Sequence, residues 1–163
     1  MGCDIYMHVE YKDRNGKWAC GDYFSLHPNS TLEDPQYDVQ DFCGDRNYGL
    51  FSILADVRNY DNVEPIDRPR RLPEDISEFT KRFYKDWEMD AHSCSYFTLR
   101  ELIDFYETNY NYDMDCGALK DLIEELKKRA DEFNIIWSFM WESNYDKAYS
   151  LSDKIRIVFW FDN

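Results

Sequence analysis

The first ten residues bring together side chains suited to chemistry. Asp4, Tyr6, His8 and Glu10 alternate with the apolar Ile5, Met7 and Val9. Period-two alternation predicts a strand with one face toward a core and the other bearing acid, phenol, imidazole and acid. Neighbours on such a face stand about 7 Å apart, so one strand rarely surrounds an ion by itself. Asp90 and His92 could complete a set of two histidines and two carboxylates with Asp4 and His8, a donor set that suits a divalent metal. Alternatively, His8 or His92 could act as a general base, with Asp90 alongside. The plainer alternative is a strand with a solvated outer face, a surface His8 and a capped turn at 90–95.

A second group is cationic. Arg58, Arg68, Arg70 and Arg71 lie within fourteen positions of an otherwise acidic chain. Guanidinium groups bind phosphate in bidentate fashion and keep their charge. Ser93 and Ser95 could add hydroxyl donors for a small phosphorylated ligand. The competing reading pairs these arginines with Asp61, Glu64, Asp67, Glu74 and Asp75. Cys3 and Cys94 are candidate nucleophiles, although a buried, inert thiol is the commoner state of cysteine. No P-loop, GxGxxG, HExxH or GxSxG pattern occurs. ATP hydrolysis, dinucleotide redox chemistry and zincin proteolysis therefore lack their usual signatures.

Charge narrows the partners. The net charge is −14, and direct nucleic-acid binding would need a basic face. An acidic surface keeps a chain soluble, and it can also imitate the charge of DNA toward a host protein. The five cysteines form no CxxC pair. With an acidic, polar N-terminus in place of a signal sequence, they predict reduced thiols in the cytoplasm. No apolar run is long enough to span a membrane. Tyr6 stands where a myristoylation motif needs Ser or Thr, so Met1-Gly2 does not predict lipidation.

The elements that carry these residues are legible in part. Asn15-Gly16 between two strand-like runs predicts a type I′ hairpin pairing Ile5–Lys12 with Lys17–Phe24. Ser25–Gly44 reads as a long loop that could close over a site. Leu50, Phe51, Leu54 and Val57 share one face of a predicted helix at Asp45–Asn59, capped by Asp45 or Asn47. Pro73-Glu74-Asp75 reads as the opening of another helix, with Ile76, Phe79, Phe83 and Trp87 as its stripe. Residues 90–95 interrupt it. Thr98-Leu99-Arg100-Glu101 is a capping box that starts a third helix. Leu119, Ile123, Leu126, Ala130, Phe133, Trp137 and Met140 predict one long helix from Gly117 to about Glu142, with Asp115 as cap. The alternative is a helix ending near Asn134 followed by a strand at Ile135–Trp141. Ser143–Asp153 is turn-like. The closing run Ile155-Arg156-Ile157-Val158-Phe159-Trp160-Phe161 is apolar on both faces, as a central strand would be. Together these predict one α+β domain over residues 1–163. Its small antiparallel sheet combines the N-terminal hairpin and the C-terminal strand under about four helices.

The opening Met-Gly-Cys-Asp-Ile, followed by Val9-Glu10, resembles a family of small uncharacterised proteins found mainly in bacteriophages and prophages. The similarity continues through Arg46-Asn47-Tyr48-Gly49-Leu50-Phe51 and Leu54-Ala55-Asp56-Val57-Arg58-Asn59. It returns at Leu72–Ser77, at Asp90-Ala91-His92-Ser93 with Thr98-Leu99, and at Val158–Asn163. The family's opening carries His where this chain has Tyr6, so a ligand or base role at that position does not transfer. The polar positions that do match are Asp4, Glu10, Arg46, Asp56, Arg58, Asp90, His92 and Ser93. The resemblance implies a phage-type accessory protein in the host cytoplasm, suited to sequestering a host immune signal. Residue chemistry adds the expectation of a pocket for a small anionic, nucleotide-like ligand. Arg58 with Arg70 or Arg71 would hold phosphate, Tyr6 would stack, and Asp90, His92 and Ser93 would hydrogen-bond. The alternatives are a hydrolase acting on a nucleotide or phosphodiester, with or without a metal, and an acidic inhibitor of a host nucleic-acid-binding protein.

Overall fold

The structure, a computed structural model, describes residues 2–109, 117–140 and 151–163. Its centre is an antiparallel sheet in the order β2-β1-β6-β5. These strands are β1 (Asp4–Lys12), β2 (Trp18–Cys20), β5 (His92–Thr98) and β6 (Ile155–Asp162). β3 (Phe24–Leu26) and β4 (Tyr37–Val39) form a separate two-stranded sheet. The helices are α1 (Tyr48–Ala55), α2 (Glu78–Trp87), α3 (Leu99–Asn109) and α4 (Gly117–Met140). The α+β class and the pairing of the first strand with the last are as predicted. Among the described residues no helix is long and apolar enough to cross a membrane.

β6 lies between β1 and β5, and every residue from Ile155 to Phe161 is buried. Ile5, Met7 and Val9 join Ile157, Phe159 and Phe161 in a core with α1, α3 and α4, where Phe51 meets Phe161 edge-on at 5.0 Å. The other face of the sheet is covered by α2. The sheet is thus the middle of three layers, which is why β6 is apolar on both sides.

Several boundaries differ from the predicted ones for local reasons. The first hairpin closes with the Asp13 N–H donating to Lys17 O at 2.7 Å, and only Gly16 has positive φ, at 78°. The Asp13 carboxylate accepts the N–H groups of Asn15 and Lys17, so a three-residue loop with a glycine bulge replaces the type I′ turn. The loop predicted at 25–44 contains β3 and β4. α1 is shorter than predicted. Asn47 caps its start, and Asp56 ends it in the left-handed region at φ 58°. The Asp56 and Val57 N–H groups close the helix on Ser52 O and Phe51 O.

α2 begins at its cap Ser77 instead of Pro73. The Ser77 N–H donates to Glu10 Oε1 at 2.8 Å, and Arg156 holds Asp75. Those bonds draw residues 75–77 onto the sheet and delay the helix. The capping box of α3 is present: Thr98 Oγ1 accepts the Glu101 N–H at 3.2 Å and Glu101 Oε2 accepts the Thr98 N–H at 2.8 Å. The long form of α4 replaces the alternative with a strand at Ile135–Trp141. The predicted Asp115 cap, the side chains of Trp137 and Met140, and the turn at 143–150 lie outside the described residues.

Candidate functional site

Apart from Asp4 at its start, which stays part-exposed, the polar face of β1 is covered by other elements. Trp87 of α2 stacks on Tyr6 with ring centroids 4.1 Å apart. Phe83 and Trp160 lie against His8 at 5.5 and 5.0 Å. Burial and the charge of Asp162 push the Tyr6 phenol up to about 12. Its hydroxyl donates to Asp162 Oδ2 at 3.3 Å. Tyr6 is therefore packed into the α2 layer, which corrects its expected role as a stacking surface for ligand. His8 Nδ1 lies 2.7 Å from Asp22 Oδ2, and Asp22 Oδ1 accepts the Val9 N–H at 2.8 Å. Both residues are buried. This carboxylate fixes the imidazole beneath Phe83, so His8 is not a surface group.

Glu10 is fully buried and Arg156 is 3% exposed. They face each other in register on β1 and β6. Glu10 Oε2 accepts from Arg156 Nη2 at 2.7 Å and from Nε at 2.8 Å. Arg156 also donates to Asp75 Oδ1 at 2.9 Å, and its guanidinium lies 4.0 Å from the Trp18 ring centroid. Burial would raise the Asp75 carboxyl, but the Arg156 hydrogen bond and charge outweigh it and leave it below the usual range. With both carboxylate oxygens bonded, Glu10 has a structural role and not the expected ligand-binding one.

The proposed metal set does not assemble. β6 separates β1 from β5, and His8 and His92 pair with Val158 and Phe161 respectively. Asp90 is exposed at the end of α2, where its N–H donates to Trp87 O at 2.8 Å. Among the described residues no group of three or more His, Cys, Asp or Glu is placed to hold a metal ion.

Other matched positions do gather, at the end of the sheet where β1 starts and β6 finishes. Arg46 clasps the Asp4 carboxylate through Nε and Nη2, holding that carboxyl below its usual range. Asp162 Oδ1 accepts the Asp4 N–H at 3.2 Å. Arg58 donates to Asn163 Oδ1 at 3.2 Å, and a hydrogen bond with Tyr60 helps hold its charge. Asp56 accepts from Asn59 at 2.6 Å. Each of these groups already has a partner. So does Arg70, which donates to Asp67 at 2.8 Å and to Glu101 at 2.6 Å.

The opening lies beside β5 at this same end. A cleft of about 480 Å³ is lined by Arg71, Leu72, Tyr84, His92, Ser93 and Cys94, with Pro69 and Ala91. β1 contributes nothing to it, so the predicted pocket joining the N-terminal strand to residues 90–95 is corrected to one between β5 and the segment 69–72. The Arg71 N–H donates to Cys94 O at 2.8 Å, and Arg70 N–H to Ser95 Oγ at 3.2 Å. These bonds pin that segment along β5. Among the described residues no carboxylate pairs with the Arg71 guanidinium. Arg71 and Ser93 both sit in the left-handed region, at φ 71° and 50°, and the pairing of β5 with β6 is irregular between His92 and Ser95. Such conformations cost about 1–3 kcal/mol each for non-glycine residues and concentrate at functional sites.

His92 Nδ1 is 3.0 Å from Ser93 Oγ, while its Nε2 is buried with no partner among the described residues. Cys94 donates to the Tyr84 hydroxyl at 3.8 Å. Burial raises the Cys94 thiol and the Tyr84 phenol, the latter to about 12, so both stay protonated near neutral pH. Burial raises Cys3 as well. Neither cysteine is set up as a thiolate nucleophile.

Of the predicted site residues, the cleft unites Arg71, His92 and Ser93. Sequence reasoning missed Tyr84 and the partners Asp22 and Arg156. A lone arginine inside an apolar strand was the available signal for a buried acid. No protein-family model, curated protein or solved structure matches the chain.

Proposed function

We propose that the chain is a phage-type accessory protein of the host cytoplasm that holds a small anionic, nucleotide-like ligand in the Arg71–Ser93 cleft. Sequestering a host immune signal is the biological use that suits such a protein. The observation that carries the reading is Arg71, an exposed guanidinium with no carboxylate partner among the described residues, facing a cleft with Ser93 and His92. Arg71 would take phosphate oxygens through two N–H groups, and the Ser93 hydroxyl would add a further donor. Pro69, Leu72 and Tyr84 supply an apolar wall for a base or sugar. Calorimetric titration with mononucleotides and cyclic dinucleotides tests the reading. Binding that weakens at least about tenfold in Arg71→Ala supports it; equal binding by wild type and variant defeats it.

A second reading has its own observation. His92 Nδ1 lies 3.0 Å from Ser93 Oγ; with that nitrogen unprotonated, the imidazole would take the hydroxyl proton as Oγ attacks a phosphodiester and expels its alcohol, and water would then release the phosphate. Turnover of a bound nucleotide by wild type, absent in His92→Ala while binding persists, would select this reading over sequestration.

A further inference from the structure

The β3–β4 sheet stands apart from the central one. Its register pairs Phe24 with Val39, Ser25 with Asp38 and Leu26 with Tyr37. Alternation therefore puts Phe24, Leu26, Tyr37 and Val39 on one face, and Ser25 and Asp38 on the other. The apolar face leans on α2 through Phe79, whose ring lies 5.1 Å from Phe24 and 6.0 Å from Tyr37. That cover is partial: Phe24 remains 51% exposed and Leu26 65%, and Leu32 is wholly exposed between the strands.

The arm is held firmly at its base. Arg129 of α4 is buried, donates to Gly21 O at 2.8 Å and stacks 3.4 Å from the Tyr23 ring centroid. The Tyr23 hydroxyl bonds Glu132, and the Gln40 N–H donates to Tyr23 O at 2.9 Å. An apolar face on a fixed support loses little further entropy on binding. Among the described residues neither edge of this sheet pairs with a third strand, and an unpaired edge is the kind of surface to which a strand can be added.

Charge selects the occupant. Between Lys17 and Arg46 there is no lysine or arginine, while Asp22, Glu33, Asp34, Asp38, Asp41 and Asp45 fall in that span. Of these only Asp22 is buried, beside His8. Nucleic acid, anionic membrane and a second copy of this chain would all bring like charge to the arm.

We propose that the β3–β4 arm is a docking surface for a basic segment of a second protein, added as an extra strand in which lysine or arginine alternates with apolar residues. Strand periodicity places the partner's apolar side chains beside Phe24 and Leu26 and its cations beside Asp38. The surface is separate from the Arg71 cleft, and its test does not depend on a ligand there.

The probe is a short fluorescent peptide alternating lysine and valine, compared with a peptide of the same composition sorted into a lysine block and a valine block. Anisotropy titration should show the alternating peptide binding at least about tenfold more tightly, and more weakly at high salt. Leu26→Ser and Asp38→Lys should each weaken it about tenfold, while Glu124→Lys, at an exposed position of α4, should not. Because Leu26 is exposed, its substitution leaves the fold intact, as circular dichroism would verify. Amide exchange should slow at 24–26 or 37–39 on binding. Equal affinity for the two peptides, indifference to both arm substitutions, an equal loss in Glu124→Lys, or no binding overturns the proposal.

Discussion

At one end of the central sheet Arg156 donates to two carboxylates and lies under Trp18. At the other, Arg71 has no carboxylate partner among the described residues and borders a cleft with Ser93 and His92. The residue types are alike. What differs is whether the surrounding elements have already satisfied them. A buried guanidinium with every partner in place organises the fold, whereas an exposed one lacking a carboxylate retains its capacity for an anion. The acidic face of β1 belongs to the first kind, despite its catalytic composition.

The comparison breaks most visibly at the buried end. Arg156→Met strands the Glu10 charge and is expected to destabilise the fold by about 3–5 kcal/mol, read as a lowered urea midpoint. Adding Glu10→Gln should recover part of that loss, because no buried charge remains and the side-chain oxygen can still accept the Ser77 N–H. A single substitution costing under about 1 kcal/mol would show that the pair is not structural. Next in size is Asp22→Ala, which removes the acceptor for His8 and the Val9 N–H. Leaving those donors unpaired should cost about 1–3 kcal/mol in the same denaturation experiment.

The open end should behave oppositely. Arg71→Gly relieves a left-handed residue but adds chain freedom to the unfolded state, so stability is expected to change by less than about 1 kcal/mol while anion binding is lost. Thermal unfolding together with nucleotide titration checks both halves; a large loss of stability would move Arg71 into the structural class. The smallest effect is alkaline. Tyr6 and Tyr84 are raised from 10.0 to about 12, chiefly by burial. Each binds its proton more tightly when folded, so its stabilisation is complete below pH 10 and is lost as pH rises through 12. Phenolate absorbance should show a late step that shrinks in Tyr6→Phe and in Tyr84→Phe. One uniform step near the ordinary tyrosine value would contradict their burial.

Local signals were legible where they carried their own stereochemistry. The alternation of β1, the apolar run of β6, the Thr98 capping box and the stripe of α4 each declare themselves within a few residues. β5 did not, because His92-Ser93-Cys94-Ser95 has turn-like composition and becomes a strand only through pairing with β6, across an irregular register. The start of α2 was hidden for a related reason: Glu10, distant in sequence, takes the Ser77 N–H. Alternation showed that Asp4, Tyr6, His8 and Glu10 share a face, but that Trp87 and Phe83 would cover it was a tertiary fact. Among the clustered arginines, composition could not separate Arg70, neutralised by Asp67 and Glu101, from its neighbour Arg71.

Native mass spectrometry of protein recovered from phage-infected cells, comparing wild type with Arg71→Ala, tests the central claim most directly. Wild type should carry a phosphorylated small molecule, released on denaturation, and the variant should be bare. The same adduct on both proteins, or a bare mass for both, would contradict an anion site built on Arg71.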